Sequence, residues 1–106
     1  MVLIYATCAD KDEARRIGRD LVYRRLAACI NIFPAVESIF FWEGNLEQAN
    51  EAVMVAKTVQ DKVPEAIEVI RAGHSYSVPA ILVLPVLDGN KAFIEWVSNE
   101  VGNCGR

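Results

Sequence analysis

Apolar residues fall in short runs and helical stripes that alternate along the chain. Residues 2–7 (VLIYAT) form a nearly continuous apolar run, which is typical of a strand buried on both faces. A helix is predicted next, with Asp10 as its N-cap and Glu13 completing a capping-box pattern. Its apolar stripe consists of Ala14, Ile17, Leu21 and Ala28. The chain is therefore predicted to open with a strand and a helix.

A long hairpin is predicted in the middle of the chain. Residues 30–42 (INIFPAVESIFFW) have the composition of a strand, but Pro34 cannot donate a hydrogen bond and so favours an edge position or a bulge. Residues 43–45 (EGN) are typical of a turn, and residues 52–59 (AVMVAKTV) predict the returning strand.

The second half repeats the helix and strand and then adds a helix. Asp61 is predicted to cap a helix that ends at Gly73, where a positive φ is often needed. Residues 79–86 predict a fourth strand. The apolar positions of the two helices are Val63, Ala66, Ile67 and Ile70 in one, and Phe93, Ile94, Trp96, Val97 and Val101 in the other.

The predicted order, β-α-β-β-α-β, is that of the α+β ferredoxin-like split βαβ fold. In this fold a four-stranded antiparallel sheet carries two helices on one face, and the C-terminal helix is an addition. We expect one domain spanning residues 1–106, because neither a linker nor a low-complexity segment interrupts the pattern. The first and fourth strands should be antiparallel neighbours.

Apolar residues exceed what one covered sheet face can bury. The first strand is apolar on both faces, and the hairpin carries Ile39, Phe40, Phe41 and Trp42 in succession. Large exposed apolar patches usually mark interfaces, so self-association is predicted. The alternative is a monomer in which the C-terminal helix folds over the open face.

Charge and cysteine content narrow the class of protein. The net charge of −3 argues against binding nucleic acid or an anionic membrane, because both call for a basic face. No apolar run approaches the roughly 20 residues that cross a bilayer, and VLIYAT lacks the flanks of a signal peptide, so a cytoplasmic protein is predicted. Cys8, Cys29 and Cys104 are too few and too widely spaced for a disulfide framework or a CxxC zinc site.

Cys8 and His74 are the candidate metal ligands. Cys8 follows the first strand, and His74, the only histidine, precedes the fourth, so antiparallel pairing should bring them close. A thiolate and an imidazole together suit copper or zinc. The alternative is that Cys8 fills core space and His74 ends a helix. We predict no enzyme, since neither a nucleophile elbow nor a P-loop is present.

Three spaced motifs carry a family resemblance. They are AACxNxxP from Ala27, SIxxWxGxxE from Ser38 and HxYxVP from His74. With them nearly the whole chain resembles the CutA-like divalent-cation tolerance proteins. The resemblance implies a ferredoxin-like homotrimer linked to tolerance of copper and other divalent cations, with no enzymatic reaction attached.

The resemblance also implies a metal site. The family's cysteine after the first strand is matched by Cys8, and the second of its two adjacent histidines by His74, while Gly73 stands where the first histidine is expected. We therefore expect only weak binding of copper or another divalent cation near the subunit boundaries. The residues that match the family's inter-subunit cleft, as a small-molecule pocket or as subunit contacts, are Trp42, Glu43, Lys57 and Tyr76.

A trimeric signalling or scaffold module akin to the PII proteins is the alternative function. Such a module would bind a small anionic ligand or a protein partner. A phosphate would need lysines, arginines and glycine amides grouped at the cleft, and Lys57 is the one basic residue expected there.

Overall fold

A computed structural model of the chain describes residues 1–102, so Cys104 lies outside the described part. The elements are β1 (Val2–Cys8), α1 (Lys11–Tyr23), β2 (Cys29–Trp42), β3 (Asn45–Thr58), α2 (Val63–Gly73), β4 (Ile81–Pro85) and α3 (Lys91–Gly102), with a short 3-10 turn at Gln60–Lys62. The predicted β-α-β-β-α-β order with an added helix is confirmed.

The four strands form one antiparallel sheet in the order β2-β3-β1-β4. Alternate residues of β1 are buried, because side chains of a strand point to opposite faces and α1 and α2 cover one of them. Ala6 pairs with Ile81, so the end of β1 lies beside the start of β4, as predicted. This arrangement positions the candidate metal ligands.

Helix α1 begins as predicted but ends early. The Asp10 carboxylate accepts the backbone N–H of Glu13 at 2.8 Å. The expected continuation to Ala28 is wrong: the helix stops at Tyr23, and Arg25 adopts a left-handed φ of 61°. Ala28 instead lies just before β2 and donates its N–H to the carbonyl of Lys57, near the end of β3.

Two predictions about α2 are wrong. Asp61 lies in the 3-10 turn, and the helix starts at Val63 after Lys62, which makes no side-chain cap. Gly73 does not have a positive φ; among residues 1–102 the glycine that does is Gly44. A Cβ on Gly73 would lie 3.1 Å from Cγ1 of Ile17, so this glycine permits close packing of α2 on α1.

The hairpin is longer than predicted and contains the predicted bulge. Strand β3 begins at Asn45, not at residue 52, because its polar first half pairs with β2. Phe33 pairs with Val53 whereas Val36 pairs with Glu51, so β2 holds one extra residue at Pro34. The bulge changes which alternate residues of β2 share the face of Phe33.

Helix α3 covers only part of the apolar surplus. It contacts β3, with the Lys57 ammonium 5.2 Å from the ring centroid of Phe93. The far end of the hairpin remains exposed, at 68% for Ile39 and 74% for Phe41. The molecule is correspondingly elongated, with a long axis of 49 Å.

Replacing Gly44 by alanine should lower the free energy of unfolding by about 1 kcal/mol, because a residue with a Cβ is strained at a φ of 84°. Apart from Gly44 itself and its two chain neighbours, no residue among 1–102 places a heavy atom within 4 Å of that Cβ, so overlap with the rest of the described chain contributes nothing. Gly44→Asn is the matched control and should lose less, since asparagine tolerates left-handed φ. Equal losses in urea unfolding would contradict a backbone origin.

Candidate metal centre

The structure brings Cys8 and His74 together and adds Glu13. Cys8 ends β1 and is buried, and His74 directly follows α2 with a buried side chain. One ligand atom from each of the three residues lies within 4.8 Å of the others. Sequence reasoning gave Glu13 only a capping role. The sequence signal that could have identified Glu13 is its position in the first turn of α1, only five residues after Cys8.

Glu13 joins two loops through its carboxylate. Ala9 donates its N–H to Oε2 at 2.9 Å, and Ser75 donates its N–H to Oε1 at 3.0 Å. Burial alone would raise the pKa of this carboxyl, but the hydrogen bonds donated by Ala9 and Ser75 outweigh it, as does the positive charge of His74 when its ring is protonated, so the pKa lies below its ordinary value. Glu13 is thus held as a carboxylate. Its predicted partner in the capping box, the Asp10 N–H, is replaced by that of Ala9.

Both imidazole nitrogens of His74 are engaged. Tyr76 donates its N–H to Nδ1 at 3.1 Å, so Nδ1 carries the lone pair in this tautomer. Nε2 then carries the hydrogen and donates it to the Thr7 carbonyl at 2.6 Å. Nδ1 lies 3.6 Å from Oε2 of Glu13. A metal ion must therefore displace one of these hydrogen bonds to reach the ring.

The Cys8 thiol is held in its protonated form. Burial, together with the negative charges of Glu13 and Asp10, raises its pKa to about 11. A metal ion binds the thiolate, so binding must release this proton.

The four predicted cleft residues are not all close together within one chain. Trp42 and Tyr76 line the same cavity, and the Tyr76 hydroxyl donates to Glu51 at 2.9 Å. Glu43 lies in the hairpin turn with a φ of 50°. Lys57 pairs with Cys29 and Trp42 with Asn45, at opposite ends of β3 and roughly 40 Å apart along the strand. A cleft containing Lys57 and Trp42 would need two subunits.

Stability should fall as the pH rises from about 9 to about 11, in part through Cys8. The unfolded thiol ionises near 9.0 and the folded thiol near 11, so the unfolded state loses its proton first and is favoured in that window. Cys8→Ser should lack this contribution, which is on the order of 2 kcal/mol. Urea midpoints measured across the window test this, with Cys29→Ser as the matched control. Identical pH slopes for wild type and Cys8→Ser would contradict the prediction.

No helix within residues 1–102 combines the length and apolar character needed to span a bilayer. The sequence predicts a cytoplasmic location, and this stays a prediction.

Curated proteins that are similar to this chain include one from an archaeon and one from a plant. A divalent-cation tolerance protein CutA of Archaeoglobus fulgidus is 42% identical over 98 residues, which cover 92% of this chain and 95% of the relative. The chloroplastic protein CutA 1 of Oryza sativa is 33% identical over 98 residues, which cover 92% of this chain but 55% of that relative.

Solved structures agree with this likeness. The periplasmic divalent cation tolerance protein CutA of Archaeoglobus fulgidus superposes with a TM-score of 0.91 at 40% identity, covering 95% of this chain and 99% of that one. The Cut A1 protein of Thermus thermophilus gives a TM-score of 0.92 at 35% identity, covering 96% and 100%. The family model of the CutA1 divalent ion tolerance protein matches residues 2–100. The chain therefore belongs to the CutA1 divalent ion tolerance protein family.

Proposed function

We propose that this protein acts in divalent-cation tolerance as a cytoplasmic homotrimer that binds copper or another divalent cation weakly and catalyses no reaction. The binding site is the cluster of Cys8, Glu13 and His74. The observation that supports it is the closeness of one sulfur, one carboxylate oxygen and one imidazole nitrogen, all within 4.8 Å. The expectation from sequence, with Cys8 and His74 alone, gains a third ligand.

The donor set fits copper or zinc. Sulfur and imidazole nitrogen suit these metals more than calcium or magnesium, and a carboxylate oxygen is an ordinary further ligand of zinc. Cys8 ends β1, Glu13 lies in the first turn of α1 and His74 follows α2, so the ligands come from three separate parts of the fold. A bound cation would neutralise the Glu13 carboxylate and the Cys8 thiolate. If the protein confers tolerance by sequestering the cation, binding the cation is sufficient and no reaction is needed.

We expect binding to be weak because the carboxylate and the imidazole already have hydrogen-bond partners without a metal, and the thiol keeps its proton. Reaching His74 means breaking the hydrogen bond from Tyr76 or the one to the Thr7 carbonyl, each worth about 1 kcal/mol net. Reaching sulfur means removing a proton whose pKa is about 11. Both costs oppose the affinity of the metal at neutral pH.

Loss of any ligand should lower copper and zinc affinity. We expect Cys8→Ser, Glu13→Gln and His74→Ala each to weaken binding about tenfold or more in calorimetric titration, because each removes one donor from the cluster. Cys29→Ser removes a thiol outside the cluster and serves as the matched control. Equal stoichiometry and affinity in wild type and in the Cys8 and His74 variants would reject this site.

The trimer is supported by surfaces that one chain leaves uncovered. Strands β2 and β4 are the two edges of the sheet, and an edge offers unpaired backbone groups to another chain. Leu82 and Leu84 of β4 are 59% and 44% exposed, and the aromatic end of the hairpin projects from the body. Burying such apolar area favours association.

Replacing Phe41 by glutamate should dissociate the assembly, because a charge in a buried apolar interface is costly. Sedimentation equilibrium should give three times the chain mass of 11.8 kDa for wild type and a smaller mass for the variant. Tyr23→Glu alters an exposed aromatic side chain at the end of α1 and is the matched control. A monomeric wild type would contradict the proposed trimer.

The PII-like alternative is not proposed. The cavity beside Tyr76 is lined by the carboxylates of Glu47 and Glu51, which repel a phosphate. Among the described residues that line it in one chain, none is a lysine or an arginine, and of the predicted cleft residues a second subunit would add only Lys57 as a base.

A further inference from the structure

Arg16 places a positive charge beside the metal centre. It lies in α1, and its Nη2 is 3.9 Å from Oε1 of the Glu13 carboxylate. The same nitrogen donates a hydrogen bond to the Gly73 carbonyl at 2.9 Å. Among the residues that the structure describes, Arg16 is the one lysine or arginine that pairs with a proposed ligand. The centre therefore includes a cation that belongs to the protein.

The guanidinium of Arg16 is fixed at the end of α2. Gly73 is the last residue of that helix, so its carbonyl lacks an intrahelical partner and favours a positive charge beside it. A Cβ on Gly73 would lie 3.3 Å from Nη1 of Arg16, so the glycine leaves room for the guanidinium. Both contacts of Arg16 are made within one chain, between the two helices, and neither uses the sheet edges or the hairpin end that the proposed trimer buries.

The charges of the centre suit a singly charged cation better than a doubly charged one. When a metal ion has displaced the thiol proton, the Cys8 thiolate and the Glu13 carboxylate carry two negative charges, and Arg16 offsets one of them. A singly charged cation then leaves these groups neutral, whereas a doubly charged one leaves an excess positive charge at a buried site, which is costly. Asp10 and Glu51 also act on Cys8, but they do so with or without Arg16.

We propose that Arg16 makes the metal centre selective for a singly charged soft cation, copper(I), over divalent ions such as zinc. The inference rests on the proposed metal centre at Cys8, Glu13 and His74. A thiolate and an imidazole are ligands that copper(I) accepts. The guanidinium repels a cation in proportion to its charge, so it opposes zinc more than copper(I). Arg16 thus acts through the charge of the site and is not itself a ligand.

Titration with silver nitrate and zinc nitrate in chloride-free buffer tests the proposal, with silver(I) as an air-stable substitute for copper(I). Cys29 and Cys104 are replaced by serine in every protein, so that Cys8 is the remaining thiol. Arg16→Gln should tighten zinc binding about threefold to tenfold and change silver binding less than about twofold, because silver replaces the thiol proton without a net gain of charge. Arg16→Lys keeps the charge and should retain the wild-type ratio of the two affinities. Arg19→Gln removes the same charge from the next turn of α1 and is the matched control.

The outcomes separate this proposal from the metal centre on which it rests. Equal changes in zinc and silver affinity in Arg16→Gln would overturn it, because a guanidinium that only caps α2 would affect both metals alike. A similar shift of the ratio in Arg19→Gln would assign the effect to the net charge of the protein, and one in Arg16→Lys would exclude charge as its cause. Each of these results leaves the metal centre in place, provided that Cys8→Ser abolishes binding. Absence of binding, or binding of both metals that survives Cys8→Ser, would reject the metal centre and this inference together.

Discussion

The Glu13 carboxylate is the contact on which the rest of the candidate site depends. Its two oxygens accept N–H groups of Ala9, just after β1, and of Ser75, just after α2. Two connections that are far apart in sequence are thereby fixed to the first turn of α1. His74 is held between them, bonded to the Thr7 carbonyl on β1. A buried carboxylate is costly unless it is paired in this way, so its hydrogen bonds and the fold support each other.

Most of the fold could be predicted because the pattern of apolar and polar residues identifies most of the strands and helices. Short apolar runs predict β1 and β4, a helical stripe predicts α1, and Pro34 marks the bulge since proline cannot donate to a ladder. The errors arise where tertiary contacts decide. Arg25 lies just after α1 and adopts a left-handed conformation that its residue type does not require. Gly73 is needed because a larger residue there would crowd the Ile17 side chain. The polar first half of β3 becomes a strand through pairing with β2.

The candidate site could be predicted only in part, for a similar reason. The closeness of Cys8 and His74 could be predicted because the order of the elements implies antiparallel pairing of β1 with β4. Glu13 was missed because its capping pattern already explained it, whereas its carboxylate serves Ser75 from another element. Lys57 and Trp42 were grouped by resemblance, yet the register of the hairpin places them at opposite ends of β3. The motifs therefore identify residues to test, but they do not say which of those residues lie together in one chain.

Tyr76 joins the proposed metal centre to the hairpin. Its N–H donates to Nδ1 of His74, and its hydroxyl donates to Glu51 on β3, so the same residue closes the metal centre and lines the cavity beside Trp42. Burial and the neighbouring Glu51 carboxylate together raise the pKa of this hydroxyl to about 12, so it remains a donor at neutral pH. A metal ion that takes Nδ1 must displace the Tyr76 N–H and disturb its ring. The hydrogen bond from the Tyr76 hydroxyl to Glu51 would be disturbed with the ring, so metal binding at the end of β1 would also be felt in the hairpin.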